Sequence, residues 1–333
     1  MNSSFLLKSL SALLLISLVG CQTLKTREDV RQTTTPTGPK IGATPHRPYE
    51  APPLDVRHED DGEANPEVPS TPPPAPVIPA LPKIGIILGA GGAKTYAHIG
   101  FLQEMAKAKV PVHGIAGVEF AAPMAALYAN RELANDVEWQ MFKLKDEEVL
   151  KKSLLGSVSK NSEVTVLKEF FNTAFPKQKA ENFRAPFACP SYSIKKNQTY
   201  LMNRGSLEQV LSMCMAYPPF FKPFQGQVAG VREITATANY LRQKGANFIV
   251  FVNVLQPPGG AKGYTLDVNA TDNVLWSEIA GLYNKPLAGV DAVISLSQPE
   301  YGIMDFDKRR EIMTKGADMT ARQLKTLTKK WGL

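Results

Sequence analysis

Two kinds of hydrophobic spacing alternate from Lys83 onward. Ile84-Gly-Ile-Ile-Leu88 is a short unbroken apolar run closed by glycine, the pattern of a strand buried on both faces. From Thr95 to Lys107, Ile99, Leu102 and Met105 recur at three-residue steps and share one helical face. Val112 to Val118 repeats the buried-strand pattern, and Ala121 to Ala129 reads as a helix of small residues. Asn247 to Asn253 and Asp291 to Ser295 read as further central strands, and Lys308 to Lys330 as a C-terminal helix or pair of helices. Strand–turn–helix repeats of this kind predict right-handed β-α-β units and an α/β fold with a mostly parallel central sheet.

The first 82 residues carry neither spacing. Lys8 precedes an apolar stretch, Leu10 to Val19, too short for a permanent bilayer span. It ends in Leu18-Val19-Gly20-Cys21, which resembles the lipobox of bacterial lipoproteins. That resemblance implies a signal peptide over residues 1–20 and an acylated Cys21, since stable anchoring takes more than one acyl chain. Gln22 follows, which implies sorting to the outer membrane, facing periplasm or surface, if the host is Gram-negative. From residue 22 to 82 the chain holds 14 of its 26 prolines, including Pro72-Pro73-Pro74. Such a composition buries too little apolar surface to offset ordering entropy, so residues 21–82 are expected to be a disordered, semi-stiff tether to residues 83–333.

Composition narrows the function classes. With 44% hydrophobic and 21% charged residues the chain can bury a core. Three cysteines exclude a disulfide-stapled scaffold, and four histidines argue against a multi-histidine metal centre; no metal or cofactor is expected. The net charge of +7 is uneven: residues 22–82 carry six basic and nine acidic side chains, residues 83–333 carry 31 and 22. A basic domain favours anionic partners such as a phospholipid surface or nucleic acid, or is a soluble domain that happens to be basic; the partner expected is the membrane and not nucleic acid.

Two glycine-rich turns carry the chemistry. Gly89-Ala90-Gly91-Gly92-Ala93-Lys94 links the first strand to the first helix, where free amides suit anionic oxygen. Lys94 stands where a Rossmann loop needs its last glycine, and the Walker A spacing also fails. The second turn, Gly117-Val118-Glu119-Phe120-Ala121, occupies a strand–helix junction where a G-x-S-x-G sequence would form a nucleophile elbow. Its central residue is glutamate and its last is alanine.

Together, Leu88-Gly89-x-Gly91-Gly92-Ala93-Lys94, His98-Ile99-Gly100-x-Leu102, Ile115-Ala116-Gly117-x-x-x-Ala121 and Ala126-Leu127-Tyr128-Ala129 resemble the patatin-like phospholipase family. Tyr217-Pro218-x-x-Phe221-x-Pro223, Gly245-Ala246-Asn247 and Gly302-Ile303-Met304-Asp305-Phe306 agree with it, so the resemblance covers residues 83–333. It implies a three-layer α/β/α domain and lipid acyl hydrolysis by a Ser–Asp dyad, with Gly89, Gly91, Gly92, Ala93 and Lys94 as the oxyanion-hole loop and Gly117, Glu119 and Ala121 as the elbow. Carried over by position, the serine falls on Glu119 and the aspartate on Ala229. No aspartate occurs between Asp146 and Asp267, so the second loss does not depend on register.

A carboxylate is a poor nucleophile toward esters, because the mixed anhydride it forms is less stable than the ester. Glu119 is instead expected to turn back toward the Gly91 and Gly92 amides and fill the oxyanion hole. The reading taken is a catalytically inactive homologue at the cell envelope, binding an acyl lipid, a fatty acid or a protein partner. Two others stay open: an active phospholipase using substitutes such as Glu233, and an envelope scaffold or assembly protein. Lys94 is expected to contact lipid phosphate or to be a solvated charge, and His98 to be structural. Tyr217 to Phe224 lines an acyl pocket, touches membrane, or is core. Cys189 and Cys214 either pair in an oxidising compartment or are two buried thiols, with free thiols the reading taken, and Arg322, Lys325, Lys329 and Lys330 are read as a solvated helix face.

Overall fold

A computed structural model describes residues 82–152, 158–159, 162–257 and 270–331. The expected signal, Cys21 and the tether up to residue 81 lie outside the described residues. The elements run β1 (Ile84–Leu88), a 3-10 turn (Gly92–Tyr96), α1 (Ala97–Lys107), β2 (Val112–Gly117), α2 (Ala121–Arg131), α3 (Ala134–Met141), α4 (Asp146–Val149), the short strands β3 (Lys151–Lys152) and β4 (Val158–Ser159), and α5 (Lys168–Ala174). They continue with β5 (Phe187–Ser193), β6 (Gln198–Met202), α6 (Leu207–Met215), β7 (Gln227–Ala229), α7 (Ile234–Gln243), β8 (Phe248–Asn253), α8 (Ala270–Tyr283), β9 (Ala292–Ser295) and α9 (Arg309–Trp331).

The sheet order is β6-β5-β2-β1-β8-β9, with β7 also paired to β5. The β1–β2, β1–β8, β2–β5 and β8–β9 ladders are parallel, and β6 and β7 join β5 antiparallel. This is the expected α/β class. The chain leaves β1 in one direction through β2 to β5, then returns to the far side of β1 as β8 and β9. Right-handed crossovers therefore place α1 and α2 on one face and α7 and α8 on the other. The winding reverses at β1, and in such sheets functional groups gather beyond the C-terminal ends of the strands at that point. Gly89–Gly92 leaves β1 at that end, and Glu119 follows β2 there.

The β1 residues Ile84, Ile86, Ile87 and Leu88 are completely buried, because helices cover both faces. Gly85 and Gly114 leave room for Leu241 of α7: an added Cβ would lie 3.2 Å from its carbons in either case. On the opposite face α1 crosses α9 through two glycines. A Cβ on Gly100 would lie 2.3 Å from the Met313 carbonyl oxygen, and one on Gly316 would lie 2.7 Å from Ala97 Cα. Backbone cannot yield as a flexible side chain does. Gly100→Ala is expected to lower unfolding free energy by about 1–3 kcal/mol, despite alanine's better helix propensity. Chemical denaturation with unchanged m-value is the check; an equal or higher midpoint would mean that the two helices do not pack this closely.

Two local expectations are corrected, and one that was left open is decided. The helix predicted from Thr95 begins at Ala97, after the 3-10 turn, because Ala93 N–H donates to Ile303 O at 2.7 Å and Thr95 Oγ1 to Gly92 O at 2.6 Å, holding that segment tight. The C-terminal segment is one helix. Cys189 and Cys214, read as free thiols, form a disulfide: β5 packs against α6 with the two Cα atoms 5.9 Å apart, a closeness that a sequence separation of 25 does not reveal.

Candidate functional site

The site is built on two turns at the C-terminal ends of β1 and β2. Val118 N–H donates to Leu88 O at 3.0 Å, so the two turns emerge side by side. Gly117 is obligatory at the second: a Cβ would sit 2.2 Å from Ala121 O, where α2 folds back over the strand. The next turn residue but one, Glu119, has φ +57°, a left-handed conformation rare for a non-glycine residue. This is elbow geometry, aiming the side chain out of the sheet toward the first loop.

Glu119 is completely buried, and its Oε2 accepts hydrogen bonds from Gly91 N at 3.2 Å and Gly92 N at 3.0 Å. Two successive amides converge on one oxygen, aided by the α2 N-terminus that follows at Ala121. The other oxygen, Oε1, has no hydrogen-bond partner among the described residues. Burial raises the Glu119 carboxyl to about 7, although the amides of Phe120, Gly92 and Gly91 favour its charged form.

Aromatic rings close the site. Phe120 packs on Phe220, Phe221 and Phe306, with ring centroids 5.0, 5.8 and 5.1 Å away. Phe220 also presses on the nest: a Cβ on Gly92, at φ +54°, would lie 2.4 Å from its ring and from Ile303 O. Tyr217, Phe220 and Phe221 are thus core residues, the bland alternative for the Tyr217–Phe224 segment.

The acid position lies beside the elbow. β2 pairs with the first residues of β5 and β7 with the last, so the C-terminal ends of β2 and β7 approach each other along one edge of β5. β7 ends at Ala229, which is buried and bonded through its N–H to Ala216 O at 2.9 Å. A hydroxyl ties this segment to the glycine loop: Tyr283 donates to Val231 O at 2.8 Å and accepts from Ala90 N at 3.4 Å. Glu233 caps α7 nearby, half-buried, and its side chain makes no hydrogen bond among the described residues.

Lys94 fits neither of its expected roles. It is 1% exposed, and its ammonium donates to Gln256 Oε1, Gln298 O and Tyr301 O at 2.7–3.0 Å. Burial lowers it to about 8, with Glu300 and Asp305 opposing that shift from a distance. It points away from the nest and pins the 3-10 turn to the segment before α9, so it belongs to the scaffold. His98 is buried, with Nε2 2.8 Å from Gly89 O; burial lowers it to about 4 and keeps it neutral, as the donor that steadies the loop. The Tyr283 bridge and the Lys94 acceptors were not foreseen, since nothing in the spacing of Tyr283, Gln298 and Tyr301 links them to the loop.

Residues 86–230 match the sequence model of the patatin-like phospholipase family. Over this segment the chain is recognised as patatin-like. The match holds the glycine loop, the elbow and Ala229, so the patatin-like signature runs through the positions where glutamate and alanine stand. Among curated relatives, neuropathy target esterase sws of Drosophila melanogaster is 45% identical over 47 residues, 14% of this chain and 3% of that protein. The corresponding Drosophila persimilis protein is 43% identical over 47 residues. The chain spans only that 3% of the relatives it matches. Among solved structures, VipD from Legionella pneumophila aligns with a TM-score of 0.38 and 12% identity over 74% of this chain and 67% of that one. The type III effector ExoU aligns with a TM-score of 0.24 and 16% identity over 74% and 53%.

Proposed function

We propose that this chain is a non-hydrolytic patatin-like protein, held at the cell envelope through an acylated Cys21, whose domain binds an acyl lipid or a protein partner and does not turn over esters. One observation carries the reading. The two amides that an oxyanion hole must offer to a developing negative charge are already engaged by the protein's own Glu119 carboxylate. A substrate carbonyl oxygen has to displace a covalently tethered competitor present at effectively very high local concentration. The losses are also independent of each other: the elbow offers no hydroxyl, and the acid position offers a methyl group. The Leu18–Cys21 pattern and the basic character of residues 83–333 support the envelope assignment.

Ester hydrolysis by the purified full chain, beside Glu119→Ala, tests this. Neither protein is expected to exceed buffer with short-chain esters or phospholipid, and neither is expected to react with a fluorophosphonate. Turnover abolished by Glu119→Ala would make Glu119 catalytic and overturn the proposal. Phospholipid or fatty acid copurifying with the inert protein supports a lipid-binding role, and a defined envelope partner without lipid supports scaffolding.

A further inference from the structure

A second concave site lies at the opposite end of the sheet from Glu119. It is a cleft of about 290 Å³ where the start of β5, the end of β6 and the end of α7 meet. Arg184, Arg204 and Lys244 line it, all three exposed to solvent. Some exposed cations elsewhere carry an ion pair, as Arg131 does with Asp136, Arg232 with Glu278 and Lys315 with Glu300. Among the described residues, no carboxylate pairs with Arg184, Arg204 or Lys244. Glu181, the acidic residue in the lining, gives its carboxylate to the backbone instead, accepting from Gly205 N at 2.8 Å. The Lys244 ammonium stands 5.5 Å from the centre of the Tyr240 ring, and the Tyr240 hydroxyl donates to Phe187 O at 3.0 Å, fixing that wall. Three positive side chains around one cleft, set against the single Glu181 carboxylate that also feels Arg204, leave it net positive, and a bound anion reduces the repulsion among them.

We infer that this cleft binds a phosphate-bearing group of headgroup size. Two guanidinium forks from separate segments, Arg184 before β5 and Arg204 after β6, match the geometry of phosphate oxygens, and the lysine adds a point charge. The volume lies at the lower limit of small-ligand sites, enough for a phosphate with a glycerol-sized substituent and too small for acyl chains. Its position favours a membrane source. The chain enters the domain at this end, at Lys83, whose carbonyl accepts from Asn247 N at 2.9 Å, three residues beyond Lys244. On the lipid-anchored reading proposed above, on which this step rests, the acylated segment precedes Lys83 in sequence and the nearest abundant phosphate groups are those of phospholipids.

Thermal shift on the full chain in non-ionic detergent micelles tests the assignment. The probes are inorganic phosphate, glycerol 3-phosphate, and micelles doped with phosphatidylglycerol or, as control, phosphatidylcholine. Saturable stabilisation is expected in the parent, with roughly tenfold or greater loss of affinity in Arg184→Gln/Arg204→Gln and a smaller loss in Lys244→Gln. All three side chains are exposed, so the unliganded melting temperatures should coincide; if the double variant does not fold, Lys244→Gln alone carries the comparison. A response to the two free phosphates identifies a soluble ligand, and a response confined to phosphatidylglycerol identifies a lipid headgroup. No saturable response to any probe, or equal affinity in parent and variants, overturns the proposal.

Discussion

At pH 8, Glu119→Gln is expected to be more stable than the parent by about 3 kcal/mol, and at pH 4.5 the two are expected to be nearly alike. Glutamine is close in shape to the neutral acid and keeps an oxygen for the Gly91 and Gly92 amides. The parent must hold an ionised carboxylate in the same buried place once the pH passes about 7, the value to which burial raises it. In the unfolded chain the same group ionises near its ordinary 4.5. Between these values the folded state holds a proton that the unfolded state has released, so stability falls as pH rises through the window. Each unit of difference is worth about 1.4 kcal/mol, which sets the size of the effect.

His98 runs the other way. It is neutral when folded down to about 4 and protonates near 6.5 when unfolded, so its contribution is lost as pH falls through that range. In the parent the two slopes oppose each other over almost the same interval, and the pH profile should be shallow there. Removing the Glu119 slope exposes that of His98, so the variant should lose stability below pH 6.5 where the parent does not. Denaturant unfolding of both proteins at pH 4.5, 6.5 and 8 reads this out. A difference that stays constant with pH would show that Glu119 does not titrate in a buried place.

What the sequence disclosed and what it withheld divide along a physical line. The central strands are buried on both faces, so β1 and β8 are written largely as apolar runs, whereas β2 carries His113 at its half-buried start and is apolar only from Gly114 on. Their C-terminal turns are written in glycine, because at Gly117 and Gly92 backbone or an aromatic ring occupies the space of a Cβ. That Glu119 turns back on Gly91 and Gly92 was legible from a carboxylate in an elbow beside two adjacent amides. β5, β6 and β7 were not legible. Phe187–Ser193 includes a proline and two serines, and it becomes a strand because tertiary partners lie on both edges. Lys94 misleads for a similar reason. A lysine at the start of a helix reads as solvated, and only the docking of Gln256, Gln298 and Tyr301 gives its ammonium three acceptors. Contacts that depend on distant segments have no period to announce them.

Serine at position 119 is expected to leave the protein inert by itself, and serine at 119 together with aspartate at 229 to make it reactive. The backbone for a nucleophile persists: the left-handed residue at 119, the glycine that admits α2, and two amides aimed at one point. Glu119→Ser removes the carboxylate from that point and puts a hydroxyl at the elbow, so a carbonyl oxygen gains a place about 3 Å from both donors. It supplies no base. His98 is buried on Gly89 and held neutral, Lys94 points elsewhere, and Ala229 offers a methyl group where β7 meets the end of β2. Adding Ala229→Asp restores an acceptor for the serine proton. A positioned general base contributes about 10²–10⁴-fold, so the double variant should exceed Glu119→Ser by at least roughly 10²-fold in short-chain ester hydrolysis and alone take up a fluorophosphonate. The comparison separates the two losses. A reactive single variant would mean that the base lies somewhere other than position 229. A folded double variant that stays inert would mean that the aromatic closure by Phe120, Phe220 and Phe306 excludes substrate even with the nest unoccupied, which makes the seal, and not the missing dyad, the barrier to catalysis.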